Sequence, residues 1–189
     1  MERKIKIAVV GIGLMGSQHL IAIKNSKKAD LHSIVDINEK SRAHAKKFNV
    51  PFYKNSSALI KNNKPDAVIV ATPNQFHEKH TISFLNAKIP VLLEKPISSN
   101  IQKAKKIIAS SRKNKTHLLI GYHRRHNAIS TKVKSKISKG KLGKIVSETL
   151  RVPNAPDLKT KFTTAVSSTS YFLILLEDDA CRYSTGPNK

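Results

Sequence analysis

Three glycines and one aspartate near the N-terminus have the types and the spacing that bind a dinucleotide. Gly11, Gly13 and Gly16 form the pattern G-x-G-x-x-G. In this pattern the first glycine permits a tight turn, the second lets the backbone approach a pyrophosphate, and the third allows a helix to pack closely on a strand. Asp36 follows 20 residues after Gly16, where a carboxylate would accept hydrogen bonds from the adenosine ribose. The alternative is a merely flexible turn, which the position of Asp36 disfavours.

The charge of Asp36 also bears on the choice of cofactor. A carboxylate at this position repels the 2′-phosphate of NADP, so the sequence favours NAD, with NADP the less favoured cofactor. Lys40 and Arg42 follow closely in the sequence and weaken this inference.

The segments around these residues alternate between strands and helices. The run at residues 5–10 is mostly β-branched and apolar, as a strand buried on both faces requires. The remaining strands are predicted at residues 31–35, 52–53, 66–71, 91–93 and 117–122, and helices at 14–25, 39–48, 56–62, 75–86 and 100–114, with Ser56 as a helix cap. This alternation predicts an α/β fold with a doubly wound parallel sheet of the Rossmann type.

Polar residues collect where these strands end. Thr72-Pro73-Asn74, Glu94-Lys95-Pro96 and Tyr122-His123-Arg124-Arg125 each follow a predicted strand. Ligands of open parallel sheets bind beyond the carboxyl ends of the strands, so these segments are candidates for the rest of the site. Ordinary loop chemistry is the alternative for each of them alone.

The charge balance is strongly basic. There are 35 Lys and Arg against 12 Asp and Glu, which gives a net charge of +23. Such a charge raises the possibility of a nucleic-acid partner. The lysines are spread along the whole chain and aromatic residues make up only 5%, so a solvated basic surface is favoured and a charge-driven nucleic-acid binder is the weaker alternative.

Little in the sequence indicates a membrane, an oxidising compartment or a metal. The apolar run at residues 171–176 is far shorter than the roughly 20 residues that cross a bilayer. The basic and apolar N-terminus imitates a signal peptide, but Glu2 and the three glycines disfavour this. Cys181 is the only cysteine, and His123 and His126 lack partners at metal-ligand spacing. We therefore expect a cytoplasmic protein with no membrane segment and no metal site.

Five motifs in this order resemble one family of NAD(P)-dependent oxidoreductases, the glucose-fructose oxidoreductase, inositol dehydrogenase and rhizopine-catabolism (Gfo/Idh/MocA) family. The matching segments are Val10–Gly16, Val35-Asp36, Ala71–Asn74 with Phe76-His77, Val91–Pro96 and Gly121–Asn127. The resemblance covers about residues 4–148, and the E-K-P motif after a strand, at this distance from the glycine loop, is specific.

The resemblance implies hydride transfer between the nicotinamide and a secondary alcohol or carbonyl of a sugar, cyclitol or related substrate. It implies Lys95 as the catalytic residue beside the reacting carbon, and it implies homo-oligomers. Either arginine of the pair Arg124 and Arg125 could bind the substrate. The cofactor-binding residues that it implies are Gly11, Ile12, Gly13, Leu14, Met15, Gly16, Asp36, Thr72, Pro73, Asn74, His77, Glu94 and Lys95.

The predicted domains are a dinucleotide-binding domain at residues 1–123 and, at 124–189, a connecting helix with an incomplete second α/β domain. Residues 144–150 resemble the first strand of the family's substrate domain, and the pattern is lost after residue 151. The family's usual Asp and His of that domain have no counterpart that we would assign. A dinucleotide-binding module without turnover, or an inactive fragment of such an enzyme, is therefore the alternative.

Overall fold

A single parallel sheet forms the centre of the part of the chain that the computed structural model describes, residues 3–141. One compact unit ends at Tyr122 and a second begins at His123. The sheet belongs to the first unit and has the strand order β3-β2-β1-β4-β5-β6, with every neighbouring pair parallel. Its strands are β1 (Ile5–Val10), β2 (Ala29–Val35), β3 (Phe52–Tyr53), β4 (Ala67–Val70), β5 (Val91–Leu93) and β6 (Leu118–Ile120).

Helices follow the strands in alternation, as the sequence predicts. Two of the predicted helices begin with a separate 3-10 turn, at Glu39–Ser41 and at Asn74–Phe76. The helices of the first unit are α1 (Leu14–Lys24), α2 (Arg42–Phe48), α3 (Ser56–Asn62), α4 (His77–Asn86) and α5 (Ile101–Asn114). In the second unit a 3-10 turn, His123–His126, precedes α6 (Ala128–Ser138).

The core lies on both faces of the sheet. Val9 of β1 and Ile69 of β4 pack with Leu20 of α1 on one face. Their sequence neighbours in the same two strands pack on the other face around Phe84 of α4, which is fully buried. Because successive side chains of a strand point to opposite faces, a strand covered on both sides must be apolar throughout. The doubly wound α/β fold is thereby confirmed.

The predicted cap of α3 was wrong by one residue. Asn55 is the cap, and its side-chain oxygen accepts a hydrogen bond from the backbone N–H of Ala58 at 2.8 Å. Ser56 is the first helical residue, and its hydroxyl lies 2.7 Å from Nδ1 of His80 in α4. Asn and Ser are comparable caps, and Asn55 takes the role because it has the extended backbone that a cap requires.

Two sequence predictions fall outside the described residues. These are the strand at 144–150 and the remnant of a substrate domain that follows it. Within residues 3–141, none of the helices has the length and apolar character needed to cross a membrane.

Candidate cofactor site

The loop between β1 and α1 packs so tightly that two of its glycines have no room for a side chain. Gly11 has a φ of +88°, and a Cβ there would lie 2.9 Å from the carbonyl oxygen of Ala71. A Cβ on Gly16 would lie 1.9 Å from the carbonyl oxygen of Gly11. Positive φ and close backbone approach are the two conditions that glycine alone satisfies. The first and third glycines therefore set the shape of the loop, as the pattern predicts.

Gly13 differs, because it faces open space. No described heavy atom lies within 4 Å of the Cβ that another residue would place there. Gly13 is also the N-terminal cap of α1, and among the described residues no side chain caps this helix and no acid lies in its first turn. The first N–H groups of a helix lack partners within the helix and carry partial positive charge. The start of α1 therefore offers an accessible, uncontested place for a phosphate group.

Asp36 lies at the carboxyl end of β2 and contacts this loop directly. Its Oδ2 accepts hydrogen bonds from the backbone N–H of Ile12 at 2.7 Å and from the hydroxyl of Ser41 at 3.0 Å. Its Oδ1 accepts from the backbone N–H of Asn38 at 2.8 Å. An ionised carboxylate has about four acceptor positions. Asp36 is thus held in place by the protein and can still accept a further hydroxyl.

Ile37, beside this carboxylate, is a residue that the sequence did not single out. Ile37 is 89% exposed, although it is a large apolar residue only two positions after the end of β2. An exposed apolar side chain beside a group that can bind ribose offers a surface for a flat base. The sequence could have indicated this exposure, because Ile37 follows Asp36 beyond the end of β2 and so cannot be buried on a face of the sheet.

The segment after β4 contains a buried hydroxyl without a partner. The Oγ1 of Thr72 is buried and has no hydrogen-bond partner within the described part of the chain. A buried polar group without a partner costs about 1–3 kcal/mol, and such groups often mark functional positions. Pro73 and Asn74 continue the segment and are exposed.

His77 begins α4, and its side chain is fully buried. Its Nε2 lies 2.8 Å from the carbonyl oxygen of Thr72, and its Nδ1 lies 2.9 Å from that of Pro96. The resemblance implies that His77 contacts the cofactor, but this ring has no exposed surface and both of its nitrogens face the main chain. The ring thus bridges the segments after β4 and β5, and the cofactor contact that the resemblance implies stays a prediction.

Glu94 follows β5, and its carboxylate lies inside the protein. The residue is only 5% exposed, and its Oε1 lies 2.7 Å from Nε2 of His19 in α1. A Cβ on Gly121 would come within 3.2 Å of the same carboxylate, so the missing side chain of Gly121 makes room for Glu94. Sequence patterns do not reveal His19 as a partner of Glu94, because nothing in a linear pattern connects residues 75 positions apart.

Lys95 and Pro96 complete the segment after β5. The backbone N–H of Lys95 lies 3.2 Å from Oε2 of Glu94, the side chain of Lys95 is partly buried, and the peptide bond to Pro96 is cis. Arg124 and Arg125 belong to the 3-10 turn that opens the second unit, and their contact with substrate remains a prediction.

These features fit a dinucleotide. The open face at Gly13 and the start of α1 suit a pyrophosphate, Asp36 suits a ribose, and the partnerless hydroxyl of Thr72 lies on the segment after β4. All three follow strands that are neighbours in the order β2-β1-β4. Across residues 3–141 no group of three or more His, Cys, Asp or Glu is placed to hold a metal ion.

The fold and this site define the class as an NAD-binding Rossmann domain. The model of a family described as "Oxidoreductase family, NAD-binding Rossmann fold" (GFO_IDH_MocA) matches residues 5–122, more than half of the chain. The chain therefore belongs to the Gfo/Idh/MocA family of oxidoreductases, as its motifs indicated.

Curated relatives and solved structures agree with this assignment. The myo-inositol 2-dehydrogenase of Thermotoga maritima is 31% identical over 157 residues, which cover 81% of this chain and 47% of the relative. An inositol 2-dehydrogenase of Corynebacterium glutamicum is 28% identical and matches 77% of this chain and 44% of its own length. The scyllo-inositol dehydrogenase of Lactobacillus casei with bound NAD(H) and scyllo-inositol is 26% identical, with a TM-score of 0.73 over 76% of this chain and 44% of that structure. This chain thus spans less than half the length of each of these proteins.

Proposed function

We propose that this chain binds NAD along the carboxyl edge of its sheet and serves as the cofactor-binding part of an oxidoreductase. The reaction would transfer a hydride between the nicotinamide and a secondary alcohol or carbonyl carbon of a sugar, a cyclitol or a related polyol. The observation that carries the proposal is the open, uncapped start of α1 at Gly13, directly beside the carboxylate of Asp36.

The two ends of the site would hold the two halves of the dinucleotide. Gly11 and Gly16 shape the loop around the pyrophosphate, with Ile12, Leu14 and Met15 supplying the rest of its backbone. Asp36 would bind the adenosine ribose, and its charge favours NAD over NADP. Thr72, Pro73, Asn74 and Glu94 would line the nicotinamide half.

Lys95 is the residue that we propose for proton transfer. When bound, oxidised NAD would supply the acceptor for the hydride that leaves the alcohol carbon. The Nζ of Lys95 would hydrogen-bond the substrate oxygen, take the hydroxyl proton during oxidation and return it during reduction. Arg124 and Arg125 are the proposed substrate-binding pair, since a guanidinium binds hydroxyl and carboxylate oxygens in a fork.

The substrate class is supported by the relatives. Those named above are dehydrogenases of inositols, and another relative, from Bacillus subtilis, is a glucose-6-phosphate 3-dehydrogenase. All of these names describe oxidation of a ring-borne hydroxyl. We further propose the cytoplasm as the compartment, since a chain with one cysteine needs no oxidising environment.

A dinucleotide-binding module without turnover is the second candidate function. The specific observation behind it is that the open start of α1, the carboxylate of Asp36 and the buried hydroxyl of Thr72, on which the proposal rests, all concern the cofactor. Hydride transfer also requires the substrate to be held close to the nicotinamide, whereas binding of the cofactor alone does not.

The two candidates are separated by a polyol screen on the full 189-residue chain. The purified protein is incubated with NAD and a panel of inositols and sugars, and NADH formation is followed by absorbance. Substrate-dependent NADH that is lost in Lys95→Met, while NAD binding persists, supports the oxidoreductase. NAD binding without turnover on any polyol supports the binding module, and no NAD binding contradicts both.

A further inference from the structure

His77 has an arrangement that the proposed function does not use. Its ring is fully buried at the start of α4, with Nε2 2.8 Å from the Thr72 carbonyl oxygen and Nδ1 2.9 Å from the Pro96 carbonyl oxygen. The two carbonyls belong to different segments, one after β4 and the other after β5. Both distances are those of good hydrogen bonds.

The number of hydrogen-bond donors that the two carbonyl oxygens require decides how many ring nitrogens of His77 carry a hydrogen. A carbonyl oxygen only accepts, and a neutral imidazole carries one N–H and one bare nitrogen. A neutral ring would therefore leave one nitrogen lone pair facing an oxygen lone pair, in a place that no water reaches. The doubly protonated ring donates to both oxygens and satisfies all four groups.

Burial and hydrogen bonding act in opposite directions on a cation at this position. Burying a charge is costly unless it is hydrogen-bonded, and the positive end of α4 opposes a cation as well. Two charge-assisted hydrogen bonds, each about twice as strong as a neutral one, act in the opposite direction. The ring also replaces water as the partner of two main-chain carbonyls.

We propose that His77 carries a hydrogen on both ring nitrogens and clamps the Thr72 segment to the Pro96 segment. It is a positioning residue: Thr72 and Asn74 lie on one clamped segment, and Glu94 and Lys95 on the other. The functional part of this inference rests on the proposed function, because these are the residues assigned to the nicotinamide half. The clamp would fix the distance between them before any cofactor binds.

The protonation of His77 is tested on the unaltered full chain. Protein labelled with ¹⁵N in histidine is studied by NMR at neutral pH without cofactor, and His77 is assigned through its own side chain. We expect both ring nitrogens of His77 to show directly bonded, slowly exchanging hydrogens. A bare nitrogen in this ring would overturn the proposal, and this readout needs neither a variant nor NAD binding.

The positioning role is tested with His77→Gln and, as a matched control, His80→Gln one turn further along α4. Glutamine can donate to one carbonyl but not to both in this geometry. We expect affinity for NAD to fall about tenfold, as the loss of one charged hydrogen bond predicts, while affinity for ADP, which lacks the nicotinamide half, stays unchanged. The control should leave both affinities unchanged.

Four outcomes bear on this role. An equal loss of NAD and ADP binding, or no loss in a folded His77→Gln protein, would refute positioning of the nicotinamide half. If His77→Gln does not fold, the NMR result on the unaltered chain decides the clamp. Failure of the unaltered chain to bind NAD would refute the proposed function and leave the NMR result independent of it.

Discussion

The carboxylate of Glu94 lies 2.7 Å from the imidazole of His19, although 75 residues separate them. His19 belongs to α1, the helix whose first turn faces the proposed pyrophosphate position. Glu94 belongs to the segment proposed to hold the nicotinamide half. One hydrogen bond, with the carboxylate accepting from Nε2–H, therefore joins the two ends of the candidate site.

We expect His19→Ala to lower the free energy of unfolding by about 1–3 kcal/mol, because it removes a partner of a buried carboxylate. The same substitution should cost clearly less in a Glu94→Gln protein, where the side chain keeps its shape and loses its charge. Urea unfolding of the four proteins of this cycle measures both values. An equal cost of His19→Ala in both backgrounds would show that the pair is not coupled.

Gly16 is tightly packed and Gly13 faces open space, so substitution by alanine should change stability at the first and not at the second. Gly16→Ala places a Cβ 1.9 Å from a backbone oxygen, so we expect a destabilisation of at least about 1–3 kcal/mol, as for overpacked cores. Gly13→Ala adds a methyl group to open space and should leave the thermal midpoint nearly unchanged. Thermal unfolding of the two variants side by side checks this, and similar midpoints would refute the packing described for the loop.

The charge of Asp36 should set the preference between NAD and NADP. Asp36→Asn keeps an oxygen that can accept from the N–H of Ile12 but removes the repulsion of a 2′-phosphate. We expect the ratio of NAD to NADP affinity to fall on the order of tenfold. Calorimetric titration with each cofactor gives the ratio. If it does not change, Lys40 and Arg42, not Asp36, govern the preference.

His80 makes stability depend on pH. Burial lowers the pKa of His80 below its ordinary value of 6.5, and the charge of Lys79 adds to this. As the pH falls below 6.5, the unfolded chain takes up the proton first. The folded state is therefore destabilised from that pH downward, until the folded pKa is passed.

We therefore expect the free energy of unfolding to fall less steeply with decreasing pH in His80→Gln than in the unaltered protein, just below pH 6.5. The measurement is a series of urea unfolding curves from neutral to mildly acidic pH for the unaltered and variant proteins. If the free energy of unfolding changes with pH equally in both proteins, His80 has the same pKa in the folded and unfolded chains.

The sequence predicted the sheet because its signals are local. Val9 and Ile69 sit in short apolar, β-branched runs, and each run ends at a glycine or polar residue that closes the strand. The pattern from Gly11 to Gly16 predicts the turn from the first strand into the first helix. The alternation of strands and helices after it predicts a parallel, doubly wound sheet.

The parts that the sequence could not predict depend on contacts between distant segments. Ser56 is as good a cap as Asn55, and only the backbone angles decide between them. The burial of His77 between the carbonyl oxygens of Thr72 and Pro96 depends on two segments that are distant in the sequence. The pairing of His19 with Glu94 joins α1 to the segment after β5, and no linear pattern records it.

Binding of NAD at the start of α1 is tested by a calorimetric titration of the full chain with NAD and NADH, with Gly13→Asp as the comparison. Because the space at Gly13 is open, an aspartate there should not prevent folding. Its carboxylate would occupy the proposed pyrophosphate position and repel the pyrophosphate. We expect saturable binding by the unaltered chain and its loss in a Gly13→Asp protein that remains folded. Absence of binding by a folded, unaltered chain, or binding that survives Gly13→Asp, would contradict binding of NAD at the start of α1.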